Sequence, residues 1–504
     1  MLELSPDKLD LDDKKTWDLI CSGRTKGIFQ LETPLGRSYA KKIQPRSIEE
    51  LSDLITVVRP GCLEAKLEDG KTITHHYIER KHGREEVTFF HPSLEEILKP
   101  TYGMLCYQEQ AIEIVKKVGG FTLEESESFR KAVGKKLADE MAKNKKLFLE
   151  KAITTGVVNE EEAVEIFSWI EKSQRYSFNK SHGVAYAMGG YVSAYLKAHY
   201  PLEFFTAWLK HSDEKMKTYQ EIGDLINEAK FFDIEIQPPN LIKSENNFAI
   251  VDGKIYYGLA NIKGLGKTAI SKIRMAMVGH LDSWVDFLLN VGYDNYSSIK
   301  ALASVGALPF KLSRTHQLFD LDIINKLSGK ELAWCKLNQA NDLGVMIENL
   351  AKSGVPSKIR LDKLKDLSYT YIVPPYSLTD DVDWISRTER DLLGLSLTCN
   401  QVDSRNTMQA NCSCLEFSKS KQTNVVLAVT LNKVKEFTIK AGKNKGQKMC
   451  FLTISDGTAE IDGTMFGEAF GTYGSILEEG INVLVIGVRS KKDSGLIINK
   501  VIEI

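Results

Sequence analysis

Hydrophobic and polar positions divide the chain into four regions. Over residues 1–240 the apolar residues recur with a helical period, as in LEEILKP and EEAVEIFSWIEKS, which predicts a mostly helical domain. Two short segments with a strand pattern, 248–251 and 254–259, flank Asp252-Gly253, a turn sequence that favours a β-hairpin. A second helical region then extends to about residue 350.

Residues 424–504 change to the alternating pattern of β-strands. Five segments carry this pattern: NVVLAVTL, KMCFLTI, AEIDGTMF, INVLVIGV and GLIINKVIEI. With a short helical segment between the third and the fourth, they predict an OB-fold barrel. Residues 351–423 have mixed polarity and contain a Pro374-Pro375 pair, so we predict a loosely structured connector there. The expected fold class is multidomain α+β.

Composition limits the classes of protein that remain. A chain of 504 residues is too long for a single core. Its formal net charge of −1 means that any affinity for a polyanion must come from local patches. The eight cysteines lack the spacing of a zinc site and predict free thiols. The start of the chain lacks an apolar signal segment, and the longest uncharged stretch, Gly183–Leu196, is shorter than the ~20 residues of a membrane-spanning helix. We therefore expect a cytoplasmic protein without membrane contact.

The most basic short segment of the chain begins at Arg130. Residues 130–146 contain seven basic and two acidic residues. On a helix such cations form a positive ridge that can hold phosphates, with Arg as a fork and Lys as a point charge. The candidates are Arg130, Lys131, Lys135 and Lys136. The alternative is a solvated helix face without a ligand.

A second segment, FNKSHGVAY, groups an amide, a cation, a hydroxyl and an imidazole. Lys180 and His182 are candidate phosphate ligands beside the Asn179 amide, and Tyr186 is a candidate stacking residue for a nucleotide. We predict that Ser181 caps the helix that follows. The alternative is a capped helix start with a histidine in the core.

Two further segments are candidate DNA contacts. In IKGLGKT, Gly264 and Gly266 would expose backbone amides at a helix start, flanked by Lys263 and Lys267. This pattern predicts a helix-hairpin-helix turn, and ALASVGAL at 301–308 resembles a second, less polar copy. In the first loop of the barrel four lysines follow one another without an acid among them: Lys440, Lys443, Lys445 and Lys448. That loop often contacts oligonucleotides in OB-folds. A plain helical turn and a solvated lysine loop are the alternatives.

A resemblance to a known family becomes specific when these segments are put in order. GIFQLET, VVRPG, YIERKHGREEV, HPSLEEILKPTYGMLCYQEQ, FRKAVGKK, FNKSHGVAYA and YLKAHYPLEF resemble the fingers domain of C-family DNA polymerases, the bacterial DNA polymerase III α subunits. YGLANIKGLGKTAI and ERDLLGLSLT extend the resemblance towards the OB-fold. It implies a fingers domain at 1–240, a tandem helix-hairpin-helix region that binds DNA or a clamp at 241–350, a connector at 351–423 and an OB-fold at 424–504.

The activity implied by the resemblance is nucleotidyl transfer onto a primer. Two Mg²⁺ ions held by aspartates activate the primer hydroxyl in such enzymes. By resemblance, Arg130, Lys131, Lys135 and Lys136 neutralise the triphosphate of an incoming dNTP, and Asn179, Lys180, Ser181, His182 and Tyr186 close around its sugar and phosphates. The chain departs from the family at Lys131, where a second arginine is usual, and at Cys62, where proline is usual.

The family's catalytic aspartates belong to a palm domain that precedes GIFQLE, and only 26 residues precede Gly27 here. Asp10-Leu-Asp12 is a tempting substitute, but no apolar strand leads into it, and we interpret the pair as structural. We therefore expect this chain to be inactive alone. A separate palm-bearing chain would supply the aspartates and Mg²⁺, as in a split gene of a bacteriophage.

Other partners and other functions stay open at this point. Gln339–Gly344 has the leading glutamine of a sliding-clamp peptide, but a charge replaces an expected apolar residue, which weakens clamp binding. A non-catalytic DNA-binding scaffold of the replication machinery is the alternative function, although it would have no use for FRKAVGKK and FNKSH. A DNA ligase would need a Lys-x-Asp-Gly motif, and because Lys66–Gly70 is one residue too long, we discard this function.

Overall fold

A computed structural model describes residues 8–135, 138–173, 177–405, 407–439, 445–490 and 495–504, with the backbone alone at 133–135 and 138. The chain forms two compact units, Met1–Pro201 and Leu202–Ile504. Each unit has its own buried residues, as the hydrophobic pattern of a chain this long requires.

The first unit is helical. Its helices are α1 (Lys14–Cys21), α2 (Pro34–Ile43), α3 (Ile48–Val57), α4 (Pro60–Glu64), α5 (Ile73–Lys81), α6 (Glu95–Leu98), α7 (Gln108–Lys117), α8 (Leu123–Lys135), α9 (Ala138–Thr155), α10 (Glu160–Ser173) and α11 (Lys180–His199). Two apolar clusters hold this unit together. One joins α3 and α11 with α1, α2 and α5, and the other joins α7 to α10. The helical period of the sequence therefore marks the faces that are buried.

The second unit begins with helices and ends with a barrel. Its helices are α12 (Pro201–Lys210), α13 (Thr218–Ala229), α14 (Lys267–Ala276), α15 (Trp284–Phe287), α16 (Tyr296–Ser304), α17 (Arg314–Ile324), α18 (Gly329–Leu337), α19 (Leu343–Lys352), α20 (Lys358–Ile372), α21 (Val382–Leu393), α22 (Cys414–Lys419) and α23 (Gly467–Tyr473). Its strands are β1 (Ile236–Gln237), β2 (Ala249–Val251), β3 (Lys254–Tyr256), β4 (Asn424–Thr438), β5 (Lys448–Ser455), β6 (Glu460–Met465), β7 (Asn482–Arg489) and β8 (Leu496–Glu503).

The predicted hairpin is confirmed. β2 and β3 pair antiparallel, and both turn residues have positive φ, 53° at Asp252 and 74° at Gly253. Two such residues in succession match the twist of the flanking strands. The sequence pattern did not reveal β1, which pairs parallel to β3, because two residues are too few for a period.

The predicted OB-fold barrel is also confirmed. The five strands close in the order β4-β5-β6-β8-β7, and α23 follows β6. Inward residues of alternating position fill the barrel, among them Leu427, Leu452 and Val485, which are almost completely buried. Together with the mainly helical first unit, the barrel confirms the multidomain α+β class.

The prediction of a loosely structured connector is wrong. The segment contains α20 and α21, and Glu389 on α21 is fully buried. On its buried face α21 carries Glu389, whose charge is paired with Arg314 from a distant segment. A polar residue at a buried position interrupts the apolar period, so the sequence pattern did not indicate a helix.

Among the helices described, none is long and apolar enough to cross a membrane.

Candidate nucleic-acid interface

The first candidate surface is the start of α11. Asn179 is the N-cap, and its side-chain oxygen accepts a hydrogen bond from the His182 backbone N–H at 2.9 Å. The prediction that Ser181 caps this helix is wrong, since the helix begins at Lys180 and Ser181 lies within its first turn. The side chains of Asn179–His182 are exposed and Tyr186 is half-buried. His182 is therefore available to a ligand and is not a core histidine.

Glu109, which the sequence analysis overlooked, holds this helix start. Its carboxylate accepts hydrogen bonds from the Asn179 side-chain amide at 2.8 Å and from the Lys180 backbone N–H at 2.9 Å. Beside it the Gln108 N–H donates to the Phe178 carbonyl at 3.0 Å. The YQEQ and FNKSH segments therefore meet, although Gln110 and Asn179 are 69 positions apart in the sequence. A carboxylate is the favoured charge at a helix N-terminus.

A row of aromatic rings continues along α11. The His182 ring lies 3.9 Å from that of Tyr186 and 5.3 Å from that of Phe178, as measured between centroids. Phe29 of the GIFQLET segment extends the row, 5.1 Å from Tyr186, with 45% of its surface exposed. Exposed rings of this kind can stack with nucleobases. The sequence analysis did not identify Phe29 as a candidate, because it is an apolar residue without polar neighbours of a recognisable type. Its position in the GIFQLET segment was the available signal.

The basic ridge lies partly outside the described residues. Arg130 is exposed on α8 and pairs with Glu127, with 2.7 Å between Nη2 and Oε1. This hydrogen bond raises the pKa of Arg130, and the negative charge of Glu109 adds to the effect. Glu109 therefore influences both predicted segments. Lys131 is exposed, whereas the side chain of Lys135 and all of Lys136 lie outside the described residues.

A buried network of polar side chains lies next to the start of α11. The hydroxyl groups of Tyr107 and Tyr77 donate to the Asp53 carboxylate at 2.5 and 2.8 Å. Gly183 of α11 lies directly above Ser52, where a Cβ atom would be only 2.6 Å from the serine Oγ. The glycine thus permits the close approach of α11 to α3.

Asp10 and Asp12 lie in a turn before α1 rather than on a strand. The Asp10 carboxylate accepts a hydrogen bond from the Asp12 N–H at 3.0 Å. Among the residues that the structure describes, no group of three or more His, Cys, Asp and Glu side chains is arranged to hold a metal ion. The described residues therefore do not form a cluster that would hold Mg²⁺ by itself.

The first helix-hairpin-helix turn is open. Gly264 has φ +85° and Gly266 is the N-cap of α14, without a side-chain cap. A Cβ atom at either glycine would meet nothing within 4 Å, and Lys263 and Lys267 are exposed. The first backbone N–H groups of α14 thus have no side-chain cap among the described residues and can donate hydrogen bonds to a phosphate.

The second copy of the turn is closed. Gly306 has φ +70°, but a Cβ atom there would lie 2.7 Å from Nε of Arg314. Arg314 forms an ion pair with the buried Glu389 at 2.8 Å, and Glu389 also accepts from the Leu397 and Thr398 N–H groups. The Arg314 side chain therefore covers this turn, and Glu389 of the ERDLLGLSLT segment holds Arg314 there.

In the barrel the predicted lysines differ from one another. Lys440 and Lys443 lie outside the described residues, Lys445 is exposed, and Lys448 lies 3.3 Å from the Glu436 carboxylate. The sequence analysis missed Phe437 and Phe451, which are 40% and 46% exposed, with 6.2 Å between their ring centroids. Strand pairing brings them together on the outer face of β4 and β5.

The candidate clamp peptide is engaged within the chain. The Gln339 side chain donates to the Asp286 carboxylate at 2.7 Å, and Asp342 caps α19 by accepting from the Val345 N–H. Gln339 and Asp342 of the peptide therefore already have partners.

Comparison with known proteins identifies three domains in the chain. Residues 2–156 match the bacterial DNA polymerase III alpha subunit finger domain, residues 233–317 match a helix-hairpin-helix motif, and residues 425–504 match an OB-fold nucleic acid binding domain. The domain boundaries at 240, 350 and 423 stay predictions.

Similar proteins include the DNA polymerase III subunit alpha of Pseudomonas aeruginosa, 32% identical over 97% of this chain, and that of Thermus aquaticus, 30% identical over 96%. That of Aquifex aeolicus is 31% identical over 95%. The alignments cover 41%, 38% and 38% of these relatives, so the chain spans about two fifths of their length. The chain belongs to the DNA polymerase III α subunit family, with its fingers, helix-hairpin-helix and OB-fold parts.

Proposed function

We propose that this chain binds the incoming dNTP and the primer–template DNA as part of a DNA-directed DNA polymerase. The observation that carries the proposal is the exposed start of α11, where Asn179, Lys180 and His182 lie beside the Tyr186 ring. Phosphates would lie against the cations and the helix N-terminus, and a base would stack on the rings. The similarity to polymerase α subunits along nearly the whole chain supports the same function.

DNA would be held by the open hairpin and by the barrel. The exposed lysines and the uncapped first N–H groups of α14 suit a backbone phosphate regardless of sequence. Phe437 and Phe451 suit the stacking of single-stranded bases on the barrel. A sliding clamp is a weaker candidate partner, since Gln339 and Asp342 are engaged.

In this proposal a palm-bearing polymerase chain supplies the catalytic aspartates and Mg²⁺. Its residues would activate the primer hydroxyl, while this chain orients the dNTP. We further propose a cytoplasmic, bacteriophage setting for such a split enzyme.

Primer extension tests the proposal. The purified chain should not extend a primer with Mg²⁺ and four dNTPs, and should do so after a palm-bearing chain is added. Arg130→Met should then raise the KM for dNTP roughly tenfold or more, because a charge-assisted contact is lost. Arg84→Met is the matched control, since Arg84 is similarly exposed and pairs with Glu79. Extension by the isolated chain would contradict the split arrangement. DNA binding without extension in any mixture would favour the scaffold.

A further inference from the structure

Arg59 is a cation of the VVRPG segment whose role the sequence did not indicate. It is the N-cap residue of α4, and its guanidinium carbon lies 3.6 Å from the centroid of the Phe178 ring. Phe178 immediately precedes Asn179, the N-cap of α11. Arg59 is therefore next to the surface proposed above to bind phosphates.

Arg59 differs from neighbouring arginines because it has no anionic partner among the residues that the structure describes. Arg46, Arg80, Arg84 and Arg130 form ion pairs with carboxylates at 2.5 to 2.8 Å. The Nε atom of Arg59 is shielded from solvent and has no hydrogen-bond partner in the described part of the chain. Its burial lowers the pKa of Arg59. Withdrawing a cation from water without a counter-charge is unfavourable, and an anionic ligand would offset that cost.

We propose that Arg59 binds a phosphate group beside the start of α11. This inference rests on the proposed function and adds a ligand-binding residue to it. The guanidinium carbon lies over the Phe178 ring and Arg59 is only half-buried, so we infer that one edge of the guanidinium can reach a ligand. That edge carries donors in a fork that matches two oxygens of a phosphate. Lys180 and His182 add further donors nearby.

The phosphate has two possible sources, the backbone of DNA and the triphosphate of a nucleotide. Fluorescence anisotropy with a labelled primer–template duplex measures binding of the DNA backbone. Calorimetric titration with inorganic tripolyphosphate measures binding of a triphosphate. Both use the full chain, as wild type, Arg59→Met, Arg59→Lys and the control Arg84→Met.

Arg59→Met should weaken binding of one probe about tenfold. If that probe is the duplex, the slope of log affinity against log salt should fall by about 0.9, since one phosphate contact is lost. If the probe is tripolyphosphate, duplex binding should be unchanged. Arg59→Lys keeps the charge and loses the fork, so it should recover only part of the affinity, and Arg84→Met should match the wild type.

If Arg59→Met binds both probes as tightly as the wild type does, this inference is overturned while the proposed function still stands. Arg59 would then be a structural partner of Phe178. Thermal unfolding of each variant shows whether it is folded. If Arg59→Met does not fold, the folded Arg59→Lys variant provides the test. Full affinity in Arg59→Lys would contradict binding of the phosphate by the forked donors of the guanidinium. If the wild-type chain binds neither probe, the proposed function fails and the inference fails with it.

Discussion

At the scale of single residues, the first unit contains a buried carboxyl, Asp53, near the candidate nucleotide surface. Asp53 is 4% exposed and accepts hydrogen bonds from Tyr77 and Tyr107. Burial raises the pKa of Asp53 from 3.8 to about 6, against the opposing effect of these hydrogen bonds. The folded protein therefore holds the proton of this carboxyl more tightly than the unfolded chain does.

The stabilising contribution of this proton should be present below pH 4 and be lost as the pH rises through about 6. Asp53→Asn removes the titration, so the free energy of unfolding of the variant relative to wild type should increase from pH 4 to pH 8. The upper limit is roughly 3 kcal/mol, for about two pKa units. Urea unfolding across this pH range measures it, with Asp139→Asn, an exposed carboxyl of α9, as the control. Parallel pH profiles of Asp53→Asn and wild type would contradict the assignment.

Other residue identities were predictable only in part. The sequence marked Asn179, Lys180 and His182 by their chemistry, and the structure leaves all three exposed. Glu109 could not be found in this way, because its partners lie about 70 residues further along the chain. A hydrogen bond between distant segments leaves no local pattern.

At the scale of elements, the two hairpin turns show how similar sequences acquire different surroundings. Lys263 and Lys267 flank an exposed turn, whereas the turn at Gly306 is covered by Arg314. We therefore predict DNA contact at the first turn and not at the second. The glycines of both turns were predictable from the sequence. The covering of the second turn by Arg314 was not, since it depends on how α17 and α21 pack.

The double variant Lys263→Ala/Lys267→Ala should weaken binding of duplex DNA and reduce the salt slope by up to about 1.8, for two phosphate contacts. Lys254→Ala, an exposed lysine on β3, is the control and should leave both quantities unchanged. Anisotropy titrations at several salt concentrations measure the slope. An unchanged slope in the double variant would exclude this turn from the DNA interface.

The ion pair of Arg314 with Glu389 should be essential to the second unit. Glu389 is fully buried, so Arg314→Met would leave an uncompensated charge and destabilise the protein by roughly 3–5 kcal/mol. Arg405→Met breaks a more exposed pair with Asp383 and should cost less than about 1 kcal/mol. Chemical denaturation of both variants makes the comparison. Equal losses would contradict the distinction between the two pairs.

At the scale of the whole molecule, stability depends on packed cores and not on covalent cross-links. All eight cysteines are free; five are buried and three, Cys21, Cys399 and Cys412, are half-buried. Burial raises the pKa of Cys62 and of Cys335 to about 12 in each case. The buried thiols should therefore be unreactive in the folded chain.

A thiol-specific reagent should titrate eight thiols in denaturant and at most about three rapidly in the native protein. Adding a reductant should leave the melting temperature unchanged within about 1 °C, since there is no disulfide to break. Fewer than eight thiols in denaturant without reductant, or a reductant-dependent melting temperature, would reveal a cross-link.

The sequence by itself determined the family, the helical first part, the β-hairpin and the five-stranded barrel. These follow from local periodicity, turn residues and ordered motifs, which are properties of neighbouring positions. Only the tertiary structure decided that Glu109 holds the α11 start, that Arg314 closes the second hairpin and that Arg59 has no carboxylate partner among the described residues. The reason is physical: whether each of these groups meets an opposite charge depends on segments distant in the sequence, and folding alone sets those distances.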